Sequence, residues 1–149
     1  MKSLKIGICG VGNVGGAVLD TLEKNPEIIQ NQGGVKLEVM LVGARKGKSA
    51  VANKDLNVVT DLKEVAASKE IDVFVELIGG TDLAKELVET AINNGKDVVT
   101  ANKALIASHG DELFKLAKEK KVQIGFEASV AGGTPVIKAL REGLVANKV

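Results

Sequence analysis

The sequence contains no tryptophan, no tyrosine and only three phenylalanines. Single-stranded nucleic acids are held largely by stacking on aromatic side chains, so this scarcity disfavours that class of partner. One cysteine excludes an internal disulfide and a cysteine-rich zinc site, and it fits a reducing cytosol. The formal net charge is +1 at pH 7, too small for a field that would draw nucleic acid or an anionic membrane. No apolar run approaches the ~20 residues that span a bilayer. Met1-Lys2-Ser3 leads straight into an apolar strand pattern, without the stretch a signal peptide needs. The expectation from these absences is a soluble, cytoplasmic domain with neither a nucleic acid nor a membrane as partner.

What is present has the size and balance of one globular domain. The 149 residues suffice for one substantial core, and 45% hydrophobic with 26% charged residues is ordinary for a soluble fold. Two periodicities alternate along the chain. LKIGIC (Leu4 to Cys9), VKLEVMLV (Val35 to Val42), VFVELI (Val73 to Ile78), DVVT (Asp97 to Thr100) and VQIGFEA (Val122 to Ala128) are rich in Val and Ile, as strands prefer. Between them, LAKELVETAI repeats apolar residues every four positions, and DELFKLAKEKK gathers Leu113, Phe114, Leu116 and Ala117 on one helical face. Thr134-Pro135 is expected to open a last covering helix, PVIKALREGL, as N-cap and first residue. Apolar strands alternating with helices predict an α/β fold, a Rossmann-like doubly wound parallel sheet with helices on both faces. The polar, lysine-rich stretch from Gly43 to Asn57 is expected to be a flexible loop.

The first motif is GVGNVG, Gly10 to Gly15, which fits G-x-G-x-x-G. It follows the first strand directly and opens the helix NVGGAVLDTLEK, the setting in which this spacing acquires meaning. Gly10 would allow the tight turn, Gly12 would let backbone approach a pyrophosphate, and Gly15 would let helix and strand pack closely. Backbone N–H groups at Asn13 and Val14 would face the phosphate at the positive helix end. The alternative is a glycine-rich turn with no ligand.

An NAD site normally closes its second strand with an acid that binds the ribose 2′-hydroxyl. Here that strand runs into LVGARKGKSA, with no acid between Gly43 and Lys54 and with Arg45, Lys46 and Lys48 present. A guanidinium can pair with a 2′-phosphate, so NADP(H) is the preferred dinucleotide and NAD(H) the second choice. A solvated basic loop without a ligand is the competing reading.

Three further blocks, VFVELIGGTDLA (Val73 to Ala84), VVTANKALIASHGDELF (Val98 to Phe114) and EASVAGGTPVIKALREGL (Glu127 to Leu144), stand in a specific order and spacing. Together with the glycine motif they resemble the nucleotide-binding part of homoserine dehydrogenase from Lys5 onward. The resemblance implies a domain spanning residues 1–149 of an NAD(P)-dependent oxidoreductase. Such enzymes reversibly reduce aspartate 4-semialdehyde to homoserine, on the route to threonine, methionine and isoleucine.

It also implies residue roles. Lys103 of the Thr100-Ala101-Asn102-Lys103 block would lie near nicotinamide and substrate, as a cofactor-binding, substrate-binding and catalytic lysine. On chemical grounds alone, a lysine at a strand end can hold a carboxylate or supply a proton, or be simply solvated. Thr100 and Asn102 would shape the nicotinamide pocket, with Ile78, Gly79 and Gly80 touching the cofactor there. Glu127 would bind substrate, or a sodium-type cation together with the carbonyls of Val130, Gly132 and Thr134. Without the resemblance, Glu127 reads as a helix-cap or substrate-binding acid.

His109 is read as an exposed histidine in a polar turn before a helix, and Cys9 as a buried structural thiol. The resemblance further implies a substrate and dimerisation domain beyond residue 149, and a homodimer or higher homo-oligomer as the parent. The chain by itself is then expected to bind NADPH without turnover. A stand-alone NAD(P)-binding or redox-sensing module and a related semialdehyde or amino-acid dehydrogenase are the alternatives.

Overall fold

The computed structural model describes residues 2–47, 51 and 54–143. Its elements run β1 (Ser3–Cys9), α1 (Asn13–Lys24), α2 (Pro26–Gly33), β2 (Lys36–Gly43), β3 (Val58–Val59), α3 (Leu62–Ala67) and β4 (Val73–Glu76). They continue with α4 (Asp82–Asn93), β5 (Asp97–Thr100), α5 (Lys103–Lys120) and β6 (Ile124–Gly125). A 3₁₀ turn, Glu127–Ser129, and a short helix, α6 (Val136–Lys138), follow, the latter passing into a π-helical turn over Ala139–Gly143.

The six strands form one parallel sheet in the order β3-β2-β1-β4-β5-β6. Strand order therefore reverses at β1, between β2 and β4, which is where open α/β sheets bind ligands at their carboxyl ends. Gly43, Cys9, Glu76 and Thr100 stand in register across that edge of the sheet.

Alternate residues of the strands feed two cores. Cys9, Leu41, Phe74 and Val98 face α3, α4 and α5, packed on Val65, Leu87, Val88, Leu105 and Leu113. Ile8, Val42 and Val75 face the other way, toward Leu19 of α1 and Val51. Period-two alternation between opposite faces is what the strand pleat imposes. The doubly wound arrangement expected from the sequence is present.

Several expectations need correction. The sequence pattern does not announce α2, α3 or β3. α2 begins with Pro26 at its first position and ends at Gly34 with φ 68°, the usual asymmetry of helix ends. α3 has only six residues, too few to display a period, and is started by Asp61, whose carboxylate accepts from Lys63 N at 2.9 Å. α5 begins eight residues before Asp111, because Asn102 caps it and Leu105, Leu113 and Ala117 share its buried face. The polar stretch Ser108-His109-Gly110 is thus helical, and Gly110 is buried within the helix.

The last strand is also shorter than expected, since Glu127–Ser129 turns away from it as a 3₁₀ helix. α6 starts at Val136 rather than Pro135, and neither it nor the π-helical turn has a buried residue. Its described part is not the covering helix that the sequence suggested, and Val99 of β5 is 41% exposed. Leu144 and the terminal residues lie outside the described residues. The segment from Gly43 to Asn57 is anchored where it is described: Val51 is buried, and Lys54 pairs with Asp20 at 2.7 Å and with Glu23 of α1.

Candidate nucleotide site

The site begins with a collision that glycine avoids. Gly10 leaves β1 with φ +100°, and its N–H donates to the Gly43 carbonyl at 3.0 Å. A Cβ on Gly10 would lie 2.4 Å from the Leu77 carbonyl oxygen, and one on Gly15 would lie 1.9 Å from that of Gly10. Both glycines are consumed by the packing of the turn. Gly12 is different: a Cβ there would meet nothing within 4 Å. The tight turn at Gly10 and the close packing at Gly15 are as read from the motif.

Gly12 is also the N-cap of α1. No side chain caps this helix end and no acid occupies its first turn. The first N–H groups of an α-helix have no intrahelical partner, and Asn13 and Val14, both exposed here, carry such groups at the positive end of the helix dipole. That is the arrangement an anionic diphosphate requires.

The glycine turn, the end of β2 and the end of β4 enclose one cleft of about 640 Å³. Gly10, Gly12, Arg45, Lys46 and Ile78 line it, and none of its lining residues among the described ones is acidic. Asn13 and Val14 line the adjoining outer surface of α1. Arg45 and Lys46 are exposed directly after β2, where a ribose-binding acid would otherwise stand. Lys48, the third basic residue of that stretch, lies outside the described residues.

At the ends of β4 and β5 the structure contains a hydrogen-bond network that the sequence reading had not identified. Glu76 is fully buried. Its Oε1 accepts from Ile78 N at 2.9 Å and Gly79 N at 3.3 Å, and its Oε2 accepts from the Thr100 hydroxyl at 2.6 Å. Thr100 Oγ1 in turn accepts from Asn102 N at 3.0 Å. Asn102 donates through Nδ2 to the Gly80 carbonyl at 2.6 Å and accepts from Leu105 N at 3.1 Å, which caps α5. The Thr100 carbonyl accepts from the Ser129 hydroxyl at 2.7 Å. The visible signal was Glu76 as the one charged residue inside VFVELI.

Gly79 and Gly80 have φ of +72° and +74°, and open space lies over both. Lys103 is exposed at the first position of α5 and forms no ion pair among the described residues. The positive helix end is an unfavourable place for a cation, so local helix stability does not explain a lysine there.

Glu127 closes on the start of α6. Its two carboxylate oxygens accept from Ile137 N and Lys138 N, each at 2.9 Å. Thr134 O already accepts from Val136 N at 2.8 Å, while Val130 and Gly132 contribute the turn between them. The helix-cap reading of Glu127 is thus realised in this structure. No group of three or more His, Cys, Asp or Glu side chains is placed for a metal ion among the described residues.

The two residues set aside in the sequence also have clear positions. Cys9 is fully buried, its thiol 3.6 Å from the Leu62 carbonyl. Burial, with smaller contributions from Glu76 and Asp61, pushes the thiol up to about 12. It is a structural thiol, not a nucleophile. His109 is half-buried within α5 rather than in an exposed turn, with Nδ1 3.8 Å from Glu112 and outside the cleft.

A family model described as the NAD-binding domain of homoserine dehydrogenase matches residues 10–127. The homoserine dehydrogenase of Pseudomonas aeruginosa is 54% identical over 149 residues, covering 100% of this chain and 34% of that protein. That of Neisseria gonorrhoeae is 45% identical over 150 residues, with the same coverage. Among solved structures, the homoserine dehydrogenase of Thiobacillus denitrificans superposes with a TM-score of 0.90 at 48% identity, covering 99% of this chain and 34% of its own. A hyperthermophilic archaeal homoserine dehydrogenase in complex with NADPH gives 0.79 at 32% identity, covering 97% of this chain and 50% of that one. The chain spans about a third of the length of the curated relatives it matches.

Proposed function

Because this chain belongs to the homoserine dehydrogenase family, as its NAD-binding domain, we propose that its cleft holds NADP(H) in preference to NAD(H) for the reversible reduction of aspartate 4-semialdehyde to homoserine. The observation that carries this reading is the meeting of Gly12, at the uncapped start of α1, with Arg45 and Lys46 in one cleft that has no acid among its described lining residues. The archaeal relative solved with NADPH supports the same choice. NAD(H) remains the second dinucleotide.

In this reading Gly10, Gly12, Asn13, Val14 and Gly15 cradle the diphosphate, with Gly12 supplying the open approach. Arg45 pairs with the 2′-phosphate, and Lys46 adds charge beside it. Ile78, Gly79, Gly80, Thr100 and Asn102 wall the nicotinamide end. The nicotinamide, when bound, supplies or receives the hydride. Lys103 holds the substrate carboxylate or gives the proton that the aldehyde oxygen takes as it becomes a hydroxyl.

Glu127 keeps lone pairs free after accepting two N–H bonds. It is therefore assigned to substrate, or to a sodium-type cation shared with the carbonyls of Val130, Gly132 and Thr134. A sodium-dependent rise in Tm that Glu127→Gln removes would support the cation, and an equal response in both proteins would remove it.

The reading places the domain in a cytoplasmic, homo-oligomeric biosynthetic enzyme on the way to threonine, methionine and isoleucine. No described helix is long and apolar enough to cross a membrane. The test is homoserine-dependent reduction of NADP⁺ by a protein carrying this domain with the remainder of the relatives' length. Turnover with a different semialdehyde or amino acid, and none with homoserine, would contradict the substrate assignment.

A further inference from the structure

The four polar side chains buried among the described residues are Glu76, Thr100, Asn102 and Ser129. They are not scattered through the two cores. All four belong to the network at the carboxyl ends of β4 and β5 and the turn after β6. A buried polar group is costly unless its partners are present, and fully satisfied networks of this kind hold a single geometry. The chain therefore retains polar groups at one place where apolar ones would pack, and that place is the sheet edge at which the cofactor is proposed to lie.

What the network holds is the Gly79-Gly80 turn, and it grips the turn from both sides. Glu76 Oε1 draws in the N–H groups of Ile78 and Gly79, and Asn102 Nδ2 draws in the carbonyl of Gly80. The space above both glycines is left empty. The Thr100 hydroxyl joins the two grips: it donates to Glu76 and accepts from the backbone of Asn102, next to Lys103. Glu76 itself lines no part of the cleft.

We propose that Glu76 is a positioning residue for the nicotinamide end of the site. Through Thr100 and the Ile78 and Gly79 amides it sets the Gly79-Gly80 wall against the Thr100-Lys103 wall. This rests on the proposed cofactor site. It adds that the nicotinamide half and the adenosine half of the ligand are held by separable structures. The network orients one, while the glycine turn and Arg45 hold the other.

The experiment titrates the chain with NADPH and, separately, with adenosine 2′,5′-bisphosphate, which has the adenosine phosphates but no nicotinamide. Glu76→Gln keeps the shape and an acceptor for the two amides, but turns an NH₂ toward the Thr100 hydroxyl. Thr100→Val removes that hydroxyl directly, and Thr100→Ser restores it. The expected result is NADPH binding weakened at least about tenfold by Glu76→Gln and by Thr100→Val, and largely recovered in Thr100→Ser, with bisphosphate affinity changed less than twofold. The two losses should also combine less than additively, as for partners in one network.

Parallel loss of both ligands would reduce Glu76 to a purely structural residue. Unchanged NADPH affinity in either of the two disruptive variants would overturn the proposal. Should Glu76→Gln not fold, the Thr100 pair decides alone. If the unsubstituted chain binds bisphosphate but not NADPH, the nicotinamide half of the proposed site fails. If it binds neither, the cofactor reading itself fails.

Discussion

The Cα of Gly15 packs so closely on Gly10 that a Cβ would stand 1.9 Å from the Gly10 carbonyl oxygen, whereas Gly12, between them in sequence, faces open space. One motif thus contains glycines of two kinds. Gly15→Ala forces the α1 end away from β1, and no rotamer can relieve a clash with backbone. A destabilisation of about 3 kcal/mol is expected, at the upper end for overpacking, or a drop in Tm of roughly 6–12 °C for a domain of this size. Gly12→Ala meets no clash and an ordinary φ of −72°, so it should cost only about 1 kcal/mol as a poorer N-cap, or roughly 2–4 °C in Tm, and yet block approach of the diphosphate. Thermal melts and NADPH titrations of both variants separate the two roles.

Arg45 is exposed at the end of β2, on the rim of the cleft. Charge-assisted hydrogen bonds contribute about 1.5–3 kcal/mol. Arg45→Ala should accordingly weaken NADPH by about ten- to a hundredfold while NADH affinity stays within twofold. The discrimination should also shrink as salt is raised, because the pair is solvent-exposed.

Cys9 lies in register with both Gly43 and Glu76 under the cleft. Its folded thiol is raised from 9.0 to about 12 by burial, then by Glu76 and Asp61. A raised folded value means that the unfolded chain releases this proton first as pH increases. The Cys9 contribution to stability is therefore intact below about pH 9 and declines from there toward pH 12. The native protein should resist thiol reagents at pH 8 and react promptly once unfolded. Rapid labelling of the folded chain would show the thiol to be accessible.

Lys103 occupies the first position of α5 without a carboxylate partner among the described residues. Lys103→Met should leave NADPH affinity within about threefold, as the glycine turn and Arg45 are untouched. In a protein carrying the domain with the remainder of the relatives' length, homoserine oxidation should fall by about 10²–10⁴, the range for a lost proton-transfer group. A fall in affinity with unchanged kcat would instead make Lys103 a binding residue.

The parts of the fold legible in the sequence were those with a long period or a fixed spacing. α4 could be traced from Leu83 onward because apolar residues recur every four positions, and α1 from Asn13 because it follows the glycine motif. The Gly10–Gly15 turn was legible because its glycines stand at a fixed spacing directly after a strand pattern, with Gly10 and Gly15 required by packing. β3 and α3 were not, since two and six residues carry too little pattern. α5 was misjudged at its start because Ser108, His109 and Gly110 read as a turn, and tertiary packing of Leu105 and Gly110 overrides that preference. At the site, strand-end residues were found by position, but their connection was not. That Glu76 reaches Thr100 depends on β4 and β5 being register neighbours, and sequence separation conceals that contact.

The most direct test of the account is calorimetric titration of the chain with NADPH and with NADH at one salt concentration. One site per chain is expected, with NADPH bound at least about tenfold more tightly, a difference of about 1.4 kcal/mol. Equal affinities would contradict the assignment of Arg45 and Lys46 to a 2′-phosphate, and no binding of either would contradict the cleft as a dinucleotide site.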